Sequence, residues 1–550
     1  MLNIVRRPSK SVYDYIVIGS GSAGSTLAAR LSEGGANSVL LIEAGPSDRN
    51  VFIQMPAGLG IPLMKDRYNW KFFAESESYS TSEVGPYTPR GRVLGGSSSI
   101  NGMNWARGNS ADYDRWKDSG LTNWSYTHCL PYFKRSEQYE HGDPVYRGHS
   151  GPTNIVKAEI TNPLFRSFLD ASIEYGLELN SDHNGAQQTG AHITQRNVSG
   201  GIRHSASQAY LYDQPKKANL DILLETRCTS IEFSGKDAVR VNLNCCGEEL
   251  HVEVGRELIL SAGAIQSPHL LMLSGIGDAD MLKEIDIPLQ QHMSGVGGNL
   301  QDHIALCFEY GATNPRDSLA SNLNHFGRLK IGLEWLLAKR GLGISNHFEV
   351  GAFLCVGEGE TIPDVQMECI AMRGDFAPEG ITIEPGYQCF TSLQRPTSRG
   401  KLWIDDANPT AAPKFQFNYL STEDDRTIAI AAIRASQDLF QQPAWNGRLT
   451  SELSGVHALT SDHGILQWAY AHAESNYHPC GTCRMGLNDE AVTDGEGRVH
   501  GLNNLRVVDA SIIPSIPAGN LNAVTIMIAE KVADSILGLS PLEPEHPAIN

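Results

Sequence analysis

Two runs of this sequence carry residue types that do chemistry. Near the C-terminus stands His478-Pro479-Cys480-Gly481-Thr482-Cys483-Arg484-Met485-Gly486, and Asn522 follows forty-four residues later within Gly519-Asn520-Leu521-Asn522-Ala523. An imidazole titrates near neutrality and can take or hold a proton, while an amide can orient an oxygen without competing for that proton. Near the N-terminus, Gly19-Ser20-Gly21-Ser22-Ala23-Gly24 has the glycine spacing of a loop that seats a nucleotide pyrophosphate. One end is built to hold a cofactor and the other to handle a proton beside it, so the expectation is an enzyme rather than a binding module. Taken alone, a histidine next to a proline is more often structural.

The glycine loop lies in the context its chemistry requires. Tyr13 to Ile18 reads as a buried strand, Ser22 to Leu31 as a helix, and Ser38 to Ile42 as a second strand ending at Glu43. Gly19 permits the turn, Gly21 lets a pyrophosphate approach the backbone, and Gly24 allows close helix–strand packing, with the helix N-terminus adding positive potential. Glu43 is placed to accept both hydroxyls of a ribose and argues against a 2′-phosphate. Ala28 leans the reading towards FAD over NAD. A second cluster, Gly91 to Trp105, exposes backbone N–H groups through small residues in series. Alone it reads equally as a flexible loop or as the lining of a planar ligand. In a third, Gly263 to Gly277, Ser267 is expected as an N-cap and Pro268 as the first helical residue. Residues 221–260 alternate as a β-meander, 310–470 mix strand and helix patterns, and helix is expected over 522–537.

With 550 residues the chain is too long for one ordinary core. Its formal net charge of −18 argues against nucleic-acid binding, which needs a basic stripe. Ten scattered cysteines read as thiols of a reducing compartment, and Cys480-x-x-Cys483 lacks a second ligand pair, so no metal is expected. Met1 to Pro8 has no apolar signal core, and no run reaches the ~20 apolar residues that span a bilayer. A cytoplasmic enzyme is expected. Segment 328–340 is amphipathic with basic ends. A helix packed on its own core is the preferred reading, with peripheral contact at an inner membrane left open.

The 91–114 and 263–277 stretches resemble the two signature patterns of the glucose–methanol–choline (GMC) oxidoreductase family, and the C-terminal runs resemble its catalytic region. Within the family the likeness is greatest to choline dehydrogenase-like FAD alcohol dehydrogenases, notably at Asn346-His347-Phe348-Glu349 and through 472–533. The resemblance implies an α/β fold, α+β overall: a Rossmann-like FAD-binding domain over 1–158, 204–304 and 476–550, and a substrate-binding domain with a mixed or antiparallel sheet and helices over 159–203 and 305–475. It implies FAD on Gly19, Gly21, Gly24 and Glu43, with Arg92, Val93, Gly95, Gly96 and Asn101 near the flavin and Asp509, Ala510 and Asn520 as C-terminal contacts. His478 becomes the base and Asn522 its partner, for oxidation of a primary alcohol to the aldehyde by hydride transfer to flavin N5. The electron acceptor (oxygen, quinone or another carrier) and a homodimer stay open.

Two departures from the family pattern count. Ile100 stands where some relatives tether flavin through a histidine, so FAD is expected to be non-covalent. Ala305 stands where choline-oxidising relatives carry a glutamate, which disfavours choline and leaves Glu349 or Glu368 to substitute; aliphatic, aromatic and hydroxy-acid alcohols stay open. The alternatives are a lyase of the hydroxynitrile-cleaving kind on the same fold, or an NAD-dependent dehydrogenase that uses the Rossmann unit alone.

Overall fold

The computed structural model describes residues 2–77, 79, 84–377 and 380–547. A parallel sheet carries the strands Leu220–Leu223, Val39–Ile42, Val12–Ile18, Glu248–Leu260 and Leu505–Val507, side by side in that order. Where they lie side by side, at Val39–Ile42, Tyr15–Ile18 and Leu258–Leu260, the runs are apolar and buried because both faces of the sheet are covered. Their register brings Ile18, Ile42, Leu223, Leu260 and Val507 to one edge. The chain leaves that edge at Gly19, Glu43, Ser261 and Val508, so the carboxyl ends of the sheet gather the residues that follow them.

The meander expected over 221–260 forms from Thr226–Ser234, Asp237–Cys245 and the long strand Glu248–Leu260. Leu220–Leu223 does not join it. That strand instead pairs in parallel with Val39–Ile42, where its four buried residues complete the sheet.

The helix Ser22–Leu31 packs against the C-terminal helix Asn522–Ile536. The expected start at Ser267 is corrected: the helix spans Gly263–Leu273, with Pro268 inside it. A proline there has no N–H for the carbonyl four residues back. The orphaned Ala264 carbonyl instead accepts from Thr482 Oγ1 at 2.6 Å. Ser267 Oγ and the Gly263 N–H both donate to Asp509, so side chains from the C-terminal region satisfy this helix start.

A second, largely antiparallel sheet runs Leu449–Glu452, Ile304–Ala312, Gly386–Leu393, Val365–Ile370, Phe348–Leu354 and Gly190–Ile193, with Ala473–Ser475 also pairing Ile304–Leu306. The helix His325–Ala338 packs on the protein through Ile331 and Trp335, and the Trp335 indole donates to the Gly201 carbonyl at 2.7 Å. Among the described residues, no helix is long and apolar enough to cross a membrane.

Candidate active site

A cavity of about 660 Å³ runs from the glycine loop, past Glu43 and the Ser97–Asn104 loop, to Glu368, His478 and Asn520. Its first half fits a dinucleotide. A Cβ on Gly24 would lie 1.8 Å from the Gly19 carbonyl oxygen, and one on Gly96 would lie 2.7 Å from the Gly21 Cα, so these glycines close the loops on each other. A Cβ on Gly21 would meet no protein atom nearer than 4.0 Å. The room Gly21 leaves belongs to the cavity, at the N-terminus of the Ser22–Leu31 helix, where backbone N–H groups and the helix dipole favour a phosphate. Glu43 reaches the cavity while accepting from the Ser20 N–H, the Ser20 hydroxyl and the Gly45 N–H. Burial pushes its carboxyl above the usual range.

Of the other expected contacts, Gly96, Asn101, Asp509, Ala510 and Asn520 line the cavity. Gly24, Arg92, Val93 and Gly95 lie behind the lining. Val93 packs with Ile53 and Ile100, and Gly95 turns the loop at φ +87° to hydrogen-bond Ser20.

The opposite end is built around His478. The segment 476–480 is zipped antiparallel to Gln301-Asp302-His303: Asn476 N–H donates to the His303 carbonyl, and Gln301 and Cys480 exchange backbone bonds. Asp302 accepts the His478 N–H at 2.8 Å and the Tyr419 hydroxyl at 2.8 Å. The imidazole Nδ1 of His478 meets Nδ1 of His303 at 2.9 Å, and its Nε2 meets the Asn520 Nδ2 at 3.2 Å. Burial, with His303 and Arg90 adding to it, holds the His478 imidazole well below its ordinary pKa, so the ring is neutral at pH 7. Burial likewise pulls His303 to about 4 and lifts Asp302 to about 6.

Glu368 decides which way these groups point. Its Oε1 accepts from Asn104 and, at 3.2 Å, from Asn520 Nδ2; its Oε2 accepts from Asn476 at 3.3 Å. A carboxylate only accepts, so it fixes the NH₂ end of Asn520 towards itself and towards His478. Nε2 of His478 is then the acceptor and carries the lone pair. The proton sits on Nδ1 and is given to His303, a tautomer assigned from the network.

Asn522 does not meet His478. As the first residue of the C-terminal helix it turns towards the glycine loop, accepts from Ser22 Oγ at 2.7 Å, and leaves its Nδ2 buried without a partner. The amide at His478 is Asn520, in the extended segment before the helix, which had been expected only as a flavin contact. Asp302, His303 and Glu368 were not read as parts of the His478 network. The sequence signal for the first two is the polar run Gln301-Asp302-His303, which opens directly onto the strand Ile304–Ala312.

A sheet with a glycine loop and an acidic residue at its carboxyl ends, and a cavity that ends on a neutral imidazole paired with an amide, is the frame of a nucleotide-binding enzyme. Family profiles described as GMC oxidoreductase match residues 13–305 and 396–529. The chain belongs to the GMC oxidoreductase family and is an FAD-dependent alcohol oxidoreductase. It is 43% identical over 538 residues to an oxygen-dependent choline dehydrogenase of Vibrio vulnificus, covering 97% of this chain and 96% of that one. To the enzyme of that name in Photobacterium profundum it is 41% identical, covering 98% and 95%. Among solved structures it is similar to pyridoxine 4-oxidase from Mesorbium loti, with TM-score 0.85, 29% identity, and 96% and 100% of the two chains covered. Formate oxidase from Aspergillus oryzae gives TM-score 0.89 at 25% identity, covering 97% and 99%.

Proposed function

We propose that this enzyme oxidises a small primary alcohol carrying a cationic amine group to its aldehyde, with non-covalent FAD, His478 as the base and Asn520 as the orienting amide. The observation that carries the reading is the His478–Asn520 pair: a neutral imidazole whose lone-pair nitrogen faces the cavity, held against an amide N–H. FAD, when bound, supplies the two-electron acceptor for the hydride from the alcohol carbon. Gly19, Gly21, the Ser22–Leu31 helix N-terminus, Glu43, Gly96, Asp509 and Ala510 would hold it. Ile100, buried against Ile53 and Val93, offers no nucleophile for a covalent tether.

A substrate hydroxyl entering between the pair replaces their 3.2 Å contact: its O–H donates to His478 Nε2, and its oxygen accepts the Asn520 N–H. As the proton moves onto Nε2, that N–H stabilises the oxygen losing it. Nδ1 stays bonded to His303, which keeps the ring from turning.

The cationic group is favoured by the lining. Glu309, Glu368 and Glu474 all reach the cavity, together with Phe348 and Phe390, and carboxylates and aromatic faces offset the desolvation of an ammonium. Ala305 carries no charge, but Glu474 stands across from it in register on the neighbouring strand. The choline dehydrogenase names of the relatives point the same way. The test is anaerobic mixing with choline, its uncharged carbon isostere, aromatic alcohols and hydroxy acids. Flavin bleaching fastest with the cation supports the reading. A flavin that no alcohol bleaches removes it.

A further inference from the structure

The helix His325–Ala338 has two apolar faces. Ile331 and Trp335 are its buried residues. At 100° per residue, Phe326, Leu329, Leu333, Leu336 and Leu337 fall within one stripe on the side opposite that pair. Phe326 is 87% exposed, Leu337 is 85%, and the other three are 49–61%. Five large apolar side chains in one stripe exceed the scattered surface leucines of an ordinary protein and mark an interaction face.

Charge says what the face is for. The segment 325–340 carries Arg328, Lys330, Lys339 and Arg340 against the single acid Glu334, a local surplus of basic charge in a chain whose net charge is −18. Lys330, on the helix, and Arg340, just past its end, line a surface groove together with Phe326, Leu329, Leu333 and Leu337, where Glu334 is the one acid. A second copy of this chain fits poorly, because a two-fold contact through the stripe would set these cations against their own copies. A surface that is apolar inside and anionic at its rim fits well, and a phospholipid bilayer with acidic headgroups is such a surface.

We propose that this helix lies in the headgroup plane of an anionic membrane, burying Phe326, Leu329, Leu333, Leu336 and Leu337 while Lys330 and Arg340 meet the phosphates. The turn Gly341–Ile344 that follows it packs on Pro56–Gly58, and Leu59 and Leu63 just beyond wall the active-site cavity. Docking therefore brings the lipid surface to the segment beside that cavity, so a lipid-dissolved electron acceptor would be delivered there. The proposal rests on the helix and is independent of the substrate.

The test is flotation of the full-length holoenzyme with phosphatidylcholine vesicles containing about 30% phosphatidylglycerol, and with phosphatidylcholine alone. Binding is expected to the acidic vesicles, to weaken with salt, and to fall by at least about fivefold for each of K330E and R340E. L333E/L337E should abolish binding while flavin reduction by substrate in solution stays unchanged, which shows that the variant is folded. No flotation of the wild-type holoenzyme with acidic vesicles overturns the proposal. So does light scattering in which L333E/L337E turns a dimer into a monomer, because the face then belongs to a second copy.

Discussion

The Nδ2 group of Asn520 lies 3.2 Å from Nε2 of His478, and the same nitrogen lies 3.2 Å from the carboxylate of Glu368. Two hydrogens on one amide thus connect an acceptor whose role cannot reverse to an imidazole nitrogen whose role can. The charge on Glu368 sets the imidazole tautomer without touching it.

Replacing His478 by Ala should leave FAD bound and slow anaerobic flavin reduction by about 10²–10⁴-fold, the usual contribution of a general base. Stopped-flow absorbance of the flavin reads this directly. Reduction at the wild-type rate would take His478 out of the reaction.

The two amides of the Asn520-Leu521-Asn522 run should separate cleanly. Asn520→Ala is expected to slow reduction with little change in FAD content. Asn522→Ala removes a partner of Ser22 beside the glycine loop, so it should weaken FAD retention more than it slows reduction of the enzyme that keeps the cofactor. Equal effects on both readouts would contradict the placement of these side chains.

Glu368→Gln should slow reduction by about 10–100-fold, since a hydrogen bond to a charged group is worth roughly 1.5–3 kcal/mol. The loss should appear with uncharged alcohols as well as with cationic ones, because the amide of Asn520 is then free to turn over. If only the cationic substrates suffer, and only in KM, Glu368 serves as a counter-charge and not as a positioning residue.

Gly21→Ala should fold normally, because its Cβ meets no protein atom within 4.0 Å, yet bind FAD poorly. Gly24→Ala, with a Cβ 1.8 Å from a backbone oxygen, should lower Tm and yield through overpacking. Thermal melts and FAD titration of the two proteins side by side distinguish crowding by protein from crowding of the ligand.

The pH profile carries a sign. A histidine held below its ordinary value of 6.5 keeps its lone pair as the solution is acidified through that value. The acid limb of kcat/KM should therefore fall below pH 6.5, with activity flat above it. A limb centred at or above 6.5 would show that the imidazole is not depressed.

The nucleotide half was readable because its signals are short in sequence. Strand, glycine turn, helix and Glu43 span about thirty residues, and Gly24 answers to a contact with Gly19 inside the same turn. The start of the Gly263–Leu273 helix was not readable, since Pro268 is tolerated inside it only through Thr482, more than two hundred residues away. Asn520 and Asn522 share one short run, and only the point where the helix begins decides which of them meets His478. Glu368 was named only as a substitute counter-charge. Its bond to Asn520 joins the second sheet to the segment before the C-terminal helix, a pairing that no periodicity encodes.

His478 is fastened through Gln301-Asp302-His303 to the start of the antiparallel sheet, while Asn520 leads into a helix that packs beside the nucleotide loop. The hydrogen bond between them therefore acts as a caliper across two layers of the molecule. On the proposed reading, a cofactor that seats badly, or a substitution that slides one layer by an ångström, opens its jaws and slows the reaction even with both side chains intact.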